Sequence, residues 1–371
     1  MTSRLLSLFG KKRDARNIRN RRKSRLGPGF EPLESRRLMA HVAWDGGGDG
    51  TNWTHALNWS GDTLPGANDD VTIDVATNPT IRLGSGAQSI RSLVSNEALN
   101  ITGGSLRVAD TAQVNNALTL GGATLFGGTW DVSAGIQVTG TGTLDGTTVN
   151  SDVSVQDGKS LTVKNAAELN GGLTLGVNSS LTAGAQAILA VSAGTTLTNV
   201  SVTVQDNAIV TFPTVTTLAS VNLTASSGGQ ILLPAVTLYT SKSGGNTLQA
   251  NGQGTGGQKS LIDLAAVTTF HGATAAGYST IVRAINGGKV TLAGEFDGNT
   301  HWFLDGAASE IDAVLVTKLV NANVDVSNSA ILGFPALSEL TNINLTASSG
   351  GQILLPAVTL YTSKSLSLIH I

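Results

Sequence analysis

The sequence predicts an all-β protein: a right-handed parallel β-helix (β-solenoid) preceded by a disordered basic arm. Three observations carry this expectation. With 45 Gly, 8 Pro, 13 % charged and 4 % aromatic residues, the chain suits many short strands joined by tight turns and disfavours long helices. A short apolar–any–apolar pattern recurs through residues 96–365, which is the period of a strand with one buried face. Cysteine is absent, so no disulfide supports the fold. A regular stack needs none, because each coil buries its apolar face on its neighbours.

Residues 1–40 form the first unit, a basic targeting segment. They hold 12 of the 23 Lys and Arg against Asp14, Glu31 and Glu34, which leaves 11 basic and 22 acidic residues in 41–371, a net of −11. Like-charge blocks of this kind are disordered, and the acidic remainder is a poor match for nucleic acid, so no nucleic-acid partner is expected. A secretory signal would need about 7–15 apolar residues after the basic region; none follows. No run of about 18 apolar residues occurs, so no transmembrane helix is expected.

The stretch FEPLESRRLMA, residues 30–40, resembles the N-terminal "LEPR-XLL" signature of large planctomycete surface proteins, with Ser35 in place of the family's Pro and Met39 in place of Leu. The resemblance implies export to the cell surface or the extracellular space. It covers about a tenth of the chain and speaks to address rather than activity.

Residues 41–95 open on WDGGGDGTNWTHALNWSGD and place Trp44, Trp53 and Trp59 together, three of only five Trp. This segment resembles the opening of autotransporter-like bacterial surface proteins, where a Trp-rich segment leads into a β-helix. Large aromatics can cover the open apolar end of a stack, and solenoids need atypical terminal units. The rival reading is a platform of exposed Trp rings for carbohydrate.

Residues 96–365 carry the repeats. Copies of a first pattern begin at Leu99, Leu118, Ile136, Val153, Leu173, Leu189 and Val202, at spacings of 19, 18, 17, 20, 16 and 13. A second series of anchors follows at Phe212, Leu233, Leu264, Leu292, Ile311, Phe334 and Leu355. Residues 222–243 are identical to 344–365 at an offset of 122, which reads as duplication of a block of about five coils. Residues 366–371, LSLIHI, break the periodicity and read as a non-native tail, so the chain reads as a fragment. An antiparallel β-sandwich array is the alternative fold, disfavoured by the lack of paired Asn-Gly hairpin turns.

Many β-helices act on polysaccharides, which requires clustered carboxylates, or carboxylates with Arg or Lys, on adjacent coils. The densest ionisable group of the repeat body is Asp297, His301, Asp305, Glu310 and Asp312, read either as a glycan site or as an acidic surface loop. Asp45, Asp49, Asp69, Asp70 and Asp74 offer the oxygens that Ca²⁺ takes, but D-G-G-G-D-G is not an EF-hand loop. The Gly-rich stretch 252–259 lacks the G-K-[ST] ending that cradles phosphate, and the five His show neither HxH nor HExxH spacing. No cofactor is expected beyond that calcium candidate. The expected role is a non-catalytic structural or adhesin-like surface protein with extracellular glycans or cell-envelope components as partners. A polysaccharide lyase or hydrolase and an autotransporter-type passenger are the alternatives.

Overall fold

A computed structural model describes residues 40–191 and 196–363. The basic arm, the signature short of Ala40 and the tail 366–371 lie outside the described residues. The described chain is all-β, with parallel strands stacked as a β-solenoid of about 14 turns. Its only helical element is one 3-10 turn, Ala56–Asn58. No described helix is long and apolar enough to cross a membrane.

Each coil contributes three short strands. In one coil these are Leu99–Ile101, Ser105–Val108 and Thr111–Val114. The next coil fuses the first two into Leu118–Phe126 and adds Thr129–Val132. Leu99 pairs with Leu118, Leu106 with Leu125 and Ala112 with Trp130, all in parallel, so successive coils lie about 4.8 Å apart. The strand period of two turns Leu106, Leu125, Leu144 and Val163 inward, one above another, and leaves Thr124, Thr143 and Thr162 on the outside.

The first four repeat spacings are true coil steps, since Leu99, Leu118, Ile136, Val153 and Leu173 pair in series. The last two are not. Leu189 lies in a different strand of the coil, between Leu169 and Val210, and Val202 pairs with Leu181. With three strands of similar pattern in every coil, a short spacing lands on the next face instead of the next coil. In the second series Ile311 is likewise displaced by two residues. It pairs with Val290, and the inward position 21 residues after Leu292 is Ala313, which is buried. A bulge between Thr291 and Ala293 in this pairing hides the step.

The duplicated block spans five register steps, from Leu223 through Leu248, Val282, Trp302 and Val324 to Leu345. Within it, a second inward ladder turns aromatic. Tyr239, Phe270 and Phe296 pair in register, with ring centroids 4.2 Å and 4.6 Å apart. Trp302 joins Phe296 edge-on at 5.0 Å. The coils that carry Tyr239 and Phe270 turn Ala250 and Ala284 inward on the opposite sheet, so the interior volume stays near constant. Burial pushes the Tyr239 phenol upward in pKa, and its hydroxyl donates to the Val221 carbonyl at 3.0 Å.

At the N-terminal end, His41–Ala43 pairs with Asp70–Ile73, and residues 44–69 fold over the stack. Trp53 N–H donates to the Arg82 carbonyl and Arg82 N–H to Thr51, so the loop covers the edge of Ile81–Leu83. Trp44, Trp53 and Trp59 are buried at 3 %, 1 % and 0 % exposure. Trp59 meets both of the others edge to face, at 4.8 Å and 4.9 Å. Rings held in this way offer no face for a sugar to stack on.

Candidate functional site

The coil that contains the predicted ionisable group runs around three faces, and it separates the five residues. Asp297 ends Lys289–Asp297, His301 and Asp305 lie on Thr300–Asp305, and Glu310 and Asp312 begin Glu310–Val320. His301 and Asp305 stand four residues apart on one strand, about 13 Å. What unites the five is that each has a partner in the coil above or below.

Asp297 Oδ1 lies 2.6 Å from His271 Nδ1, directly opposite in the register. His301 Nε2 lies 2.7 Å from Asp325 Oδ2, and its ring centroid is 3.7 Å from that of Phe303. Asp305 Oδ1 accepts from Ser327 Oγ and Asn328 Nδ2, both at 2.6 Å. Glu310 receives Lys289 Nζ at 2.5 Å and Lys259 Nζ at 3.2 Å. Asp312 lies 3.6 Å from the same Lys289, so a shared cation bridges these two acids.

The hydrogen bonds from Ser327 and Asn328 hold the Asp305 carboxyl below the usual carboxylate range. At Glu310 partial burial opposes the charge, but the bonds from Lys289 and Lys259 outweigh it and the pKa is again lowered. Lys289 is correspondingly raised against its own burial by Glu310 and Asp312. Exposed pairs contribute little singly; as a chain of contacts across coils they tie the rungs together.

Asp325, Arg283, Lys289 and Lys259 were not part of the predicted group. The signal that finds two of them is the coil length. Steps of 20 and 22 residues place Arg283, Phe303 and Asp325 side by side on one outward face, next to His301 and Asp305.

Four of the five calcium candidates, Asp45, Asp49, Asp69 and Asp70, are engaged by groups of the protein itself. Asp49 Oδ1 accepts from Asn52 N–H, Asn58 Nδ2 and Thr51 N–H, which lowers its pKa to about 2. Asp45 accepts from Gly47 N–H and Asp69 from Gly66 N–H, while Asp70 binds Ser92 and Arg91 and is lowered by both. Among the described residues no group of three or more His, Asp or Glu is placed to hold a metal ion.

These lowered carboxylates give the fold an acid limit. Asp49, Asp70, Asp305 and Glu310 ionise more readily in the folded chain than when free. Their stabilisation is therefore present above about pH 5, and it falls away as pH drops below about 4 toward their folded values. Thermal unfolding followed by circular dichroism should show the melting temperature falling over that window. The Asp305→Asn, Glu310→Gln variant should show a shallower fall; an unchanged slope would remove these two residues from the acid response.

The fold and the contacts define a parallel β-solenoid whose ionisable side chains join neighbouring coils. The chain matches no protein-family model, no curated protein and no solved structure.

Proposed function

We propose that this chain is an exported, non-catalytic cell-surface protein, structural along its length and adhesive through its sides. The observation that carries the reading is that all five members of the densest ionisable group engage a neighbouring coil. Groups used in this way keep a long stack in register. An extended stack also offers many copies of a weak contact, which multivalency converts to useful avidity. The acidic body fits a role outside the cell among glycans and envelope components better than a role on nucleic acid. The N-terminal signature and basic segment support export.

The test is a glycan-array screen of the full chain, with a reducing-sugar assay on every glycan that binds. Binding without release of reducing ends is the expected result, and release would overturn the non-catalytic reading.

One observation favours a carbohydrate-active protein as the second reading. Arg283, His301, Asp305 and Asp325 share an outward face, where a carboxylate orients the histidine and Arg283 acts electrostatically on Asp305. If cleavage is detected, His301→Ala should abolish it; a variant that still cleaves removes this face from consideration.

A further inference from the structure

The corners that follow the outward Thr strands are left-handed. Asn165 and Ala166, Ala185 and Gln186, and Asp206 and Asn207 are consecutive pairs with positive φ. They stack coil on coil, with Ala166 N–H bonded to Ala185 O, Gln186 N–H to Asp206 O and Asn207 N–H to Ser227 O, each at 3.1 Å. One coil further on, the same corner is extended into the Gly-rich stretch 252–259, closed by an antiparallel bridge between Gln253 and Lys259. This loop overhangs the stacked corners and walls a groove of about 670 Å³.

The groove is polar and largely unengaged. Gln186, Asp206 and Gln253 are exposed, and no hydrogen bond among the described residues occupies their side chains. Asn207 Nδ2 donates to Thr255 Oγ1 at 2.9 Å, whereas its Oδ1 is buried without a donor. A Cβ on Gly254 would stand 1.8 Å from that oxygen and one on Gly228 2.3 Å, so glycine at both positions is what lets the loop close over the amide. An acceptor covered without a partner makes the closed loop less stable than it would otherwise be, and a ligand hydroxyl that reaches it when the loop lifts off Asn207 removes that deficit.

We propose that this groove binds a neutral oligosaccharide, with Gln186, Asp206, Asn207 and Gln253 contacting its hydroxyls and the 252–259 loop closing over it. Carboxamides both donate and accept, and a carboxylate accepts twice, which suits adjacent hydroxyls on a sugar ring. Neither Lys nor Arg lines the groove, so an acidic sugar would meet Asp206 with no compensating cation. The volume lies within the range of small-ligand sites, about 300–1,000 Å³. The proposal rests on the adhesive reading and supplies its site and ligand class.

The experiment titrates the full chain, by calorimetry, with the neutral and the uronate-containing oligosaccharides that score on the array. Gln186→Ala, Asp206→Ala removes two exposed side chains that make no hydrogen bond among the described residues, so the fold should be retained. This variant is expected to lose about tenfold or more in affinity for a neutral glycan, while Gln137→Ala, at an exposed position outside the groove, should not. Undiminished binding by the double variant would overturn the groove and leave the adhesive reading standing. Preference for uronates would overturn the ligand class, and absence of any glycan binding would overturn both.

Discussion

Phe270→Ala is expected to destabilise the stack by about 3–5 kcal/mol, the range for removing a buried aromatic side chain from a packed core. Phe270 is fully buried between Tyr239 and Phe296, at interplanar angles of 13° and 21°. The variant leaves a void in the middle of an aromatic column that runs through the duplicated block. In a solenoid, stability is approximately a sum of coil and interface terms, so the loss falls on two interfaces instead of the whole chain. Thermal unfolding should therefore split, and amide exchange should accelerate in Leu238–Thr240 and Lys289–Asp297 before it does near Leu106. Phe270→Leu keeps most of the volume and loses the ring contacts, about 0.5–1.5 kcal/mol for each aromatic pair. A loss below about 1 kcal/mol for Phe270→Ala would show that the column is not under the packing constraint described.

Asn58→Ala is expected to open the N-terminal cap. The side chain is completely buried and makes four hydrogen bonds. Its Oδ1 accepts from Gly48 and Gly50 N–H at 3.0 and 2.8 Å, and its Nδ2 donates to Asp49 Oδ1 and the Asn52 carbonyl at 2.8 and 2.9 Å. Alanine leaves the Gly48 and Gly50 amides without that acceptor, at about 1–3 kcal/mol for each one that stays buried, and removes one of the three donors to Asp49, enough to release the loop from the three tryptophans. Trp fluorescence should shift to the red at temperatures where the remaining coils are intact. Asn58→Asp separates the two halves of this network. It keeps the acceptor for the glycine amides but sets a second carboxylate against Asp49. Sharing one proton between them is favourable, so the pair's folded pKa is raised and the cap should be firmer at acid pH and weaken as pH rises. Pure volume loss would give no such pH dependence.

How far the fold could be read in advance varies along the chain. Between residues 99 and 173 the repeat pattern coincides with the strand register, because every coil there starts on a strand of the same type and no loop intervenes. Past Leu173 a pattern two residues long does not distinguish three similar strands, so Leu189 and Val202 fit one series although they occupy different faces. Around Thr291 a bulge moved the anchor from Ala313 to Ile311, and alanine is too unremarkable a residue to mark an inward position by itself. The ionisable group is legible in the sequence because its members are close together. Its partners are not, because they lie 20 or more residues away, at distances that only the coil register connects.

The identical segments 222–243 and 344–365 separate the two kinds of information. In both, the same alternation makes the same strands, and the tyrosine hydroxyl donates to the same upstream carbonyl, Val221 for Tyr239 and Ile343 for Tyr361. Strand, turn and local hydrogen bond are therefore determined by the 22 residues themselves, through period-two patterning and positive-φ corners at Ser227 and Ser349. Burial is not. Leu223, Ile231 and Tyr239 are fully buried because the next coil sets Leu248, Ile262 and Phe270 against them. The same holds for the charged contacts and the corner groove. The residues alone specify that acids, amides and glycines face outward, but which of them meet is decided by coil length, because a partner one rung away is about 4.8 Å distant in space and some twenty residues distant in sequence.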